Sequence, residues 1–154
     1  MNLRSLFLLL LLLPIMKLSA QESNPIERLM QEIIQDVDSS QHIANHPAGL
    51  KIIAYGEVAL PVLLEHFADE RPVPIYSDCL KRTINQAELA MILADQTIRM
   101  PYFLLTRMQN CLFEFCPNND NLIEYYFDVV ARDRAQFIQR YTMWMEDMMT
   151  EKGE

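Results

Sequence analysis

The stretch Tyr55-Gly56-Glu57-Val58-Ala59-Leu60-Pro61-Val62-Leu63-Leu64 contains a turn followed by the start of an apolar helix. Before it, Leu50 and Ile53 have the spacing of one helix face, and Gly56 is typical of the left-handed residue that ends a helix. Pro61 fits only the first turn of the second helix, where its missing N–H costs nothing. The stretch therefore predicts two short helices joined by a tight turn.

An internal repeat supports this helix pair. A shift of 40 residues places Ile52-Ile53-Ala54 on Ile92-Leu93-Ala94, and Leu60-Pro61 on Met100-Pro101. Forty residues is the period of two-helix solenoid repeats. The match covers about 16 positions, so a chance similarity remains the alternative.

The stretch with Ala59-Leu60-Pro61 and its leucines resembles a HEAT-repeat unit, in which a Gly-containing turn precedes Ala-Leu-Pro and a leucine-rich helix. The segments 101–111, 115–116 and 123–126 also resemble those of small exported HEAT-like bacterial proteins. In the second copy, Asp95-Gln96 replace the Tyr-Gly turn and Arg99-Met100 replace Ala-Leu, which leaves the repeat number open. The resemblance covers roughly residues 48–127 and implies a fold and a style of binding, but no catalytic residue.

Helical spacing continues on both sides of this region. Asn24-Pro25 is a helix start, and Asn85 with Glu88 has the spacing of a capping box. Residues 71–74 predict an extended loop, because each proline disfavours helical geometry in the residue before it. Residues 102–115 are apolar and predict a mainly helical segment.

Two further helices are predicted near the C-terminus. Asp120 or Asn121 opens the first, and the second carries apolar residues at helical spacing, with Asp133 as a cap. Together the elements predict an all-α domain of about six or seven helices, arranged as antiparallel pairs in a short, right-handed HEAT-like α-solenoid.

Residues 1–20 have the order of a secretory signal peptide. Arg4 precedes the apolar run Leu6–Leu13, and Leu18-Ser19-Ala20 ends in small residues. The apolar run is much shorter than the roughly 20 residues of a membrane-spanning helix. We therefore expect a soluble protein that is exported to the periplasm or the medium, without a membrane anchor after cleavage. The expected units are a signal peptide at 1–20, one helical domain at 21–150 and a frayed tail at 151–154.

The net charge argues against a nucleic-acid partner. The whole chain carries a formal charge of −8, and loss of residues 1–20 removes Arg4 and Lys17 but no acid, which makes it −10. Phosphate backbones are bound by clusters of lysine and arginine, which this composition does not favour. The acidic surface favours solubility and basic partners.

The chain has three cysteines, Cys79, Cys111 and Cys116. On one regular helix the last two would lie about 7.5 Å apart along the axis, too far for a disulfide. Pro117 provides a break that would let the chain turn, and export favours oxidation. We predict a Cys111–Cys116 disulfide with Cys79 free; the alternative is three buried, unpaired thiols.

Few residue patterns in this sequence indicate a catalytic or metal-binding site. His42 and His46 have a spacing that can bind a metal on a helix, but Pro47 and the polar residues before them indicate a loop. His66 is predicted at a surface helix end, and Cys111 has no histidine close in sequence to activate it. We predict no catalytic residue, no cofactor and no metal.

The most probable function from sequence is that of a non-catalytic module that binds another protein. Tyr125 is the predicted partner-binding residue, because Tyr126 and its helical neighbours would turn it away from the core. The methionines of the last helix, including Met143, predict adaptable packing or affinity for a partner. Two alternatives are an inhibitor or immunity-type protein that blocks an exported enzyme, and a hydrolytic enzyme.

Overall fold

The computed structural model describes residues 24–108 and 119–151. These contain seven α-helices and one small two-stranded sheet, so the chain is mostly helical, in agreement with the all-α prediction. The helices are α1 (Pro25–Asp36), α2 (Pro47–Ala54), α3 (Ala59–Glu65), α4 (Gln86–Thr97), α5 (Tyr102–Thr106), α6 (Phe127–Arg132) and α7 (Arg134–Glu151). The strands β1 (Pro72–Ser77) and β2 (Arg82–Asn85) lie between α3 and α4. The predicted signal peptide and residues 152–154 lie outside the described ranges.

Local signals place the starts of α1 and α4 where they were predicted. The Asn24 side chain accepts a hydrogen bond from the Ile26 N–H at 3.0 Å, which caps α1. The predicted capping box of α4 is confirmed, since Asn85 Oδ1 accepts from the Glu88 N–H at 2.9 Å and Glu88 Oε2 accepts from the Asn85 N–H at 3.0 Å. Gly56 has a φ of +59°, the left-handed conformation expected of it.

Helix α4 lies at the centre of the molecule. Its residues from Ala87 to Ala94 are all buried, so it is covered on every side rather than along one stripe. It packs against α2 and α3, while α7 packs against α3, α5 and α6. The aligned segments of the 40-residue repeat fall in α2 and α4 and around the starts of α3 and α5.

The hairpin corrects the predicted loop at residues 71–74. Strand β1 pairs antiparallel with β2, with Tyr76 opposite Thr83, and its side chains alternate between exposed and buried. Val73 and Ile75 face the core, whereas Pro72 and Pro74 are exposed. Proline is tolerated on an edge strand of this kind, which the proline-based prediction of a loop did not consider.

The predicted, mainly helical segment at residues 102–115 is described only as far as residue 108. Helix α5 covers Tyr102–Thr106, Arg107 is its C-cap, and residues 109–118 lie outside the described part. No single helix among the described residues is long and apolar enough to cross a membrane. Pro47–Ala54 and Gly56–Glu65 together reach that length and composition, but they are bent by 102°.

The cysteine prediction is corrected in one respect. Cys79 is disulfide-bonded, so the expectation that it is the free thiol is wrong. Its sulfur also accepts a hydrogen bond from Asn119 Nδ2 at 3.0 Å. The predicted pair Cys111 and Cys116 lies outside the described residues.

Candidate functional site

A shallow apolar groove lies between α5 and α7. It has a volume of about 180 Å³ and is lined by Leu104, Arg107, Arg140, Met143, Trp144 and Asp147. Two large apolar side chains of this lining are exposed, Leu104 at 44% and Met143 at 57%. Phe103, the neighbour of Leu104 on α5, is 56% exposed. An exposed cluster of large apolar side chains is the feature that most often marks a binding surface.

Helix geometry explains why these side chains point outward. In α5, Tyr102 and Leu105 occupy the buried face, which leaves Phe103 and Leu104 on the other side. In α7, Tyr141 and Met145 face the core, and Met143, two residues from each, projects about 200° away. The same packing that buries one face of each helix therefore creates the groove.

Two arginines and one carboxylate flank the groove. Arg140 Nη1 donates to the Leu105 carbonyl oxygen at 3.0 Å, and its other terminal nitrogen donates to Gln136 Oε1, so the guanidinium is held in place. Arg107 and Asp147 lie on the same rim. The excess of positive charge contrasts with the acidic chain as a whole.

Arg107 has an unusual backbone conformation. Its φ is 61° and ψ 15°, in the left-handed region, and its N–H donates to the Phe103 carbonyl oxygen at 2.9 Å. This position at a helix end is most often glycine, and the conformation costs an ordinary residue about 1–2 kcal/mol. Strain of this kind often accompanies function, and at Arg107 it places a cation beside the groove.

Tyr125 does not have the exposed position that was expected. It lies in a 3-10 turn at Leu122–Tyr126, is half-buried and packs against the core. The exposed position would follow from one continuous α-helix through Val130, whereas α6 begins only at Phe127. A partner-binding role for Tyr125 stays a prediction, and the groove offers more accessible anchors.

The groove could be predicted from the sequence only in part. The methionine-rich last helix indicated Met143. Phe103 and Leu104 lie in an apolar segment with no clear helix face, so their exposure could not be predicted. Their exposure depends on the packing of α5 against α7, which no local pattern encodes.

The histidines are not assembled into one site. His46 Nδ1 accepts from the Ala48 N–H at 3.3 Å and caps α2, and its Nε2 lies 3.8 Å from Asp36 Oδ2. His42 Nδ1 lies 3.6 Å from Asp38 Oδ1. Within residues 24–108 and 119–151, no group of three or more His, Cys, Asp or Glu residues is arranged to bind a metal.

Asp95 is a buried carboxylate that joins α4 to α5. Oδ1 accepts from the Met100 N–H at 2.9 Å, and Oδ2 accepts from the Tyr102 hydroxyl at 2.7 Å and from Arg99 Nη1 at 2.9 Å. Burial raises the pKa of Asp95, and the hydrogen bonds and the charge of Arg99 oppose that rise. Both oxygens are occupied, so the arrangement supports a structural role.

A second buried carboxylate, Glu124, joins three parts of the chain. Its Oε2 accepts from the Ser77 hydroxyl at the end of β1, and Oε1 accepts from Asn121 Nδ2 at 3.0 Å. The same amide nitrogen donates to the Ser40 carbonyl oxygen at 2.7 Å. This network fixes the hairpin against the 3-10 turn that precedes α6.

The raised pKa of Asp95 predicts a pH dependence with a defined sign. Because the folded state holds this proton more tightly than the unfolded state, the contribution of Asp95 to stability falls as the pH rises above the ordinary value of 3.8. Asp95→Asn does not titrate there. We expect the unfolding free energy of wild type to fall relative to that of the variant by at most about 1.4 kcal/mol per pH unit.

Urea unfolding of both proteins at a series of pH values from the acid range to neutrality measures this difference. If the unfolding free energy of wild type instead rises relative to that of Asp95→Asn with rising pH, the hydrogen bonds lower the pKa of Asp95 by more than burial raises it, and the prediction is wrong.

Comparisons of the chain with protein-family models, with curated proteins and with solved structures give no match.

Proposed function

We propose that the chain is an exported, non-catalytic module that binds another protein through the groove between α5 and α7. The observation that carries the proposal is the exposure of Leu104 and Met143 in one groove, with exposed Phe103 next to Leu104 on α5. Apolar and aromatic side chains of this kind supply most of the binding energy at protein interfaces. The sequence of residues 1–20 supports export.

The proposed architecture is a short HEAT-like, right-handed solenoid. The 40-residue repeat supports it, because its two copies correspond to α2 with α3 and to α4 with α5. Stacked helix pairs present an extended surface without any reactive group, which suits a binding module.

The rim of the groove suggests what kind of segment it binds. Arg107 and Arg140 outnumber Asp147, and Arg140 is already held by the Leu105 carbonyl oxygen. A preorganised cation pairs with a carboxylate at a lower entropic cost than a mobile one. The proposed partner segment has an apolar side chain for the groove and an acidic residue beside it.

Crosslinking tests the site directly. A photoreactive amino acid replaces Met143 in the mature chain, and the protein is mixed with the exported proteins of its source. We expect one partner to be crosslinked from this position and not from Val58, which is 71% exposed on another part of the surface. Equal labelling from both positions would contradict the proposal.

Arg107→Gly separates binding from stability. Glycine relieves the left-handed conformation but has a more flexible unfolded state, so the unfolding free energy should stay constant or rise by up to about 1 kcal/mol. Loss of the cation should weaken capture of the crosslinked partner several-fold, by pull-down or calorimetry.

Lys81→Gly is the matched control. Lys81 is the other exposed, left-handed cation among the described residues, with a φ of 56°, and it lies in the hairpin turn. It should show the same stability change with unaltered capture. If the two variants weaken capture equally, general charge rather than the rim of the groove is responsible.

The inhibitor function is a special case of this proposal. If the captured partner is an exported enzyme, its activity should fall when the chain binds, and Arg107→Gly should restore that activity. A captured enzyme that keeps its full activity would exclude the inhibitor function while leaving the binding function intact.

A further inference from the structure

A second cavity lies between α1, the end of α3 and the start of α4. It has a volume of about 330 Å³, within the lower part of the range of small-molecule sites. Its polar lining consists of Glu27, Arg28, Gln31, His66, Arg71 and Gln86. These residues come from α1, from the end of α3, from the segment before β1 and from the start of α4.

The side chains of Gln86 and His66 lie next to each other at this cavity. Gln86 is 6% exposed, and its Nε2 lies 3.2 Å from His66 Nδ1. With the Gln86 amide donating in this orientation, the neutral His66 ring carries its proton on Nε2. That Nε2 is buried and has no hydrogen-bond partner within the described residues. The Gln86 amide and the His66 ring therefore form one fixed part of the cavity lining.

Arg71 is held in position from two directions. Its Nε donates to Asp69 Oδ1 at 2.9 Å and to Oδ2 at 3.0 Å, and its Nη2 donates to Oδ2 at 2.5 Å, so this edge of the guanidinium is paired. The Arg71 carbonyl oxygen accepts from the Gln86 N–H at 2.9 Å. The guanidinium is nevertheless 74% exposed, which leaves donors available on its far side. Arg28 is exposed on α1 and makes no ion pair within the described residues.

We infer that this cavity binds a carboxylate group, held by Arg28 and Arg71. The planar fork of arginine matches a carboxylate with two parallel hydrogen bonds. Glu27 and Asp69 close by disfavour a doubly charged phosphate more than a singly charged carboxylate. The carboxylate belongs either to a free organic acid or to the C-terminus of a peptide.

Amide NMR spectra test the site. The protein is titrated at constant ionic strength with acetate, with succinate, and with a short peptide in free-acid and C-terminal amide forms. We expect saturable shifts at Gln31 and Gln86 with the free carboxylates, and none with the peptide amide. Preference for the peptide over succinate identifies a chain terminus, and the reverse identifies a small acid.

Charge-removing variants give the control. Arg28→Gln should weaken binding of the best carboxylate about tenfold, which corresponds to about 1.4 kcal/mol. Arg132→Gln removes an exposed arginine of α6 that does not line the cavity and should leave binding unchanged. Circular dichroism confirms that both variants are folded.

Three results would overturn the inference. One is the absence of saturable shifts with every carboxylate. Another is tighter binding of inorganic phosphate than of any carboxylate. The last is an equal loss of affinity in Arg28→Gln and Arg132→Gln.

Discussion

Phe67→Ala is expected to lower the unfolding free energy by about 3–5 kcal/mol, the usual cost of removing a buried phenyl ring. Phe67 is 0% exposed, and its ring centroid lies 4.9 Å from that of Tyr141 and 6.2 Å from that of Phe137. Its carbonyl oxygen also accepts a hydrogen bond from Arg134 Nη1 at 3.2 Å. The residue therefore joins the end of α3 to α7, and the cavity left by alanine would separate them.

Urea unfolding monitored by circular dichroism measures this loss, and Phe103→Ala is the control. Phe103 is 56% exposed, so its truncation should cost less than about 1 kcal/mol while weakening capture of the partner. A loss below about 1 kcal/mol for Phe67→Ala would contradict the packing of α7 against α3.

Cys79→Ser is expected to lower the unfolding free energy by about 2–4 kcal/mol, because the crosslink restricts the unfolded chain. Cys79 follows β1 closely, so the crosslink is anchored in the hairpin. Its sulfur also accepts the hydrogen bond from Asn119 Nδ2. Thiol titration of the denatured, unreduced wild type should find one free thiol, and peptide mapping should place Cys79 in the disulfide.

A reductant provides the control for this prediction. It should destabilise wild type by about the same amount as the substitution and have no further effect on Cys79→Ser. A map with Cys111 joined to Cys116, or three free thiols in unreduced protein, would contradict it.

The starts of α1 and α4 and the turn at Gly56 could be predicted well because they are decided within a few residues. The caps at Asn24 and Asn85 depend on one side chain and an N–H two or three positions away. The left-handed turn at Gly56 depends on the missing Cβ of that residue alone. Such interactions are fully present in the local sequence.

The hairpin and the end of α5 could not be predicted in the same way. Strand β1 forms because it pairs with β2 and because Val73 and Ile75 are buried in the core. Taken alone, Pro72 and Pro74 favour a loop instead of a strand. Pairing and burial involve residues distant in sequence, so a single segment does not encode them.

The candidate sites depend still more on tertiary structure. The sequence by itself determined a helical chain, its principal caps and a methionine-rich last helix, since each follows from local spacing. Only the packing of α5 against α7 decided that Leu104 and Met143 line one groove. Only the tertiary structure decided that Tyr125 is half-buried. Likewise, only the fold brings Arg28 of α1 to the same cavity as His66 and Arg71. These residues are far apart in the sequence, and separation along the chain does not determine distance in space.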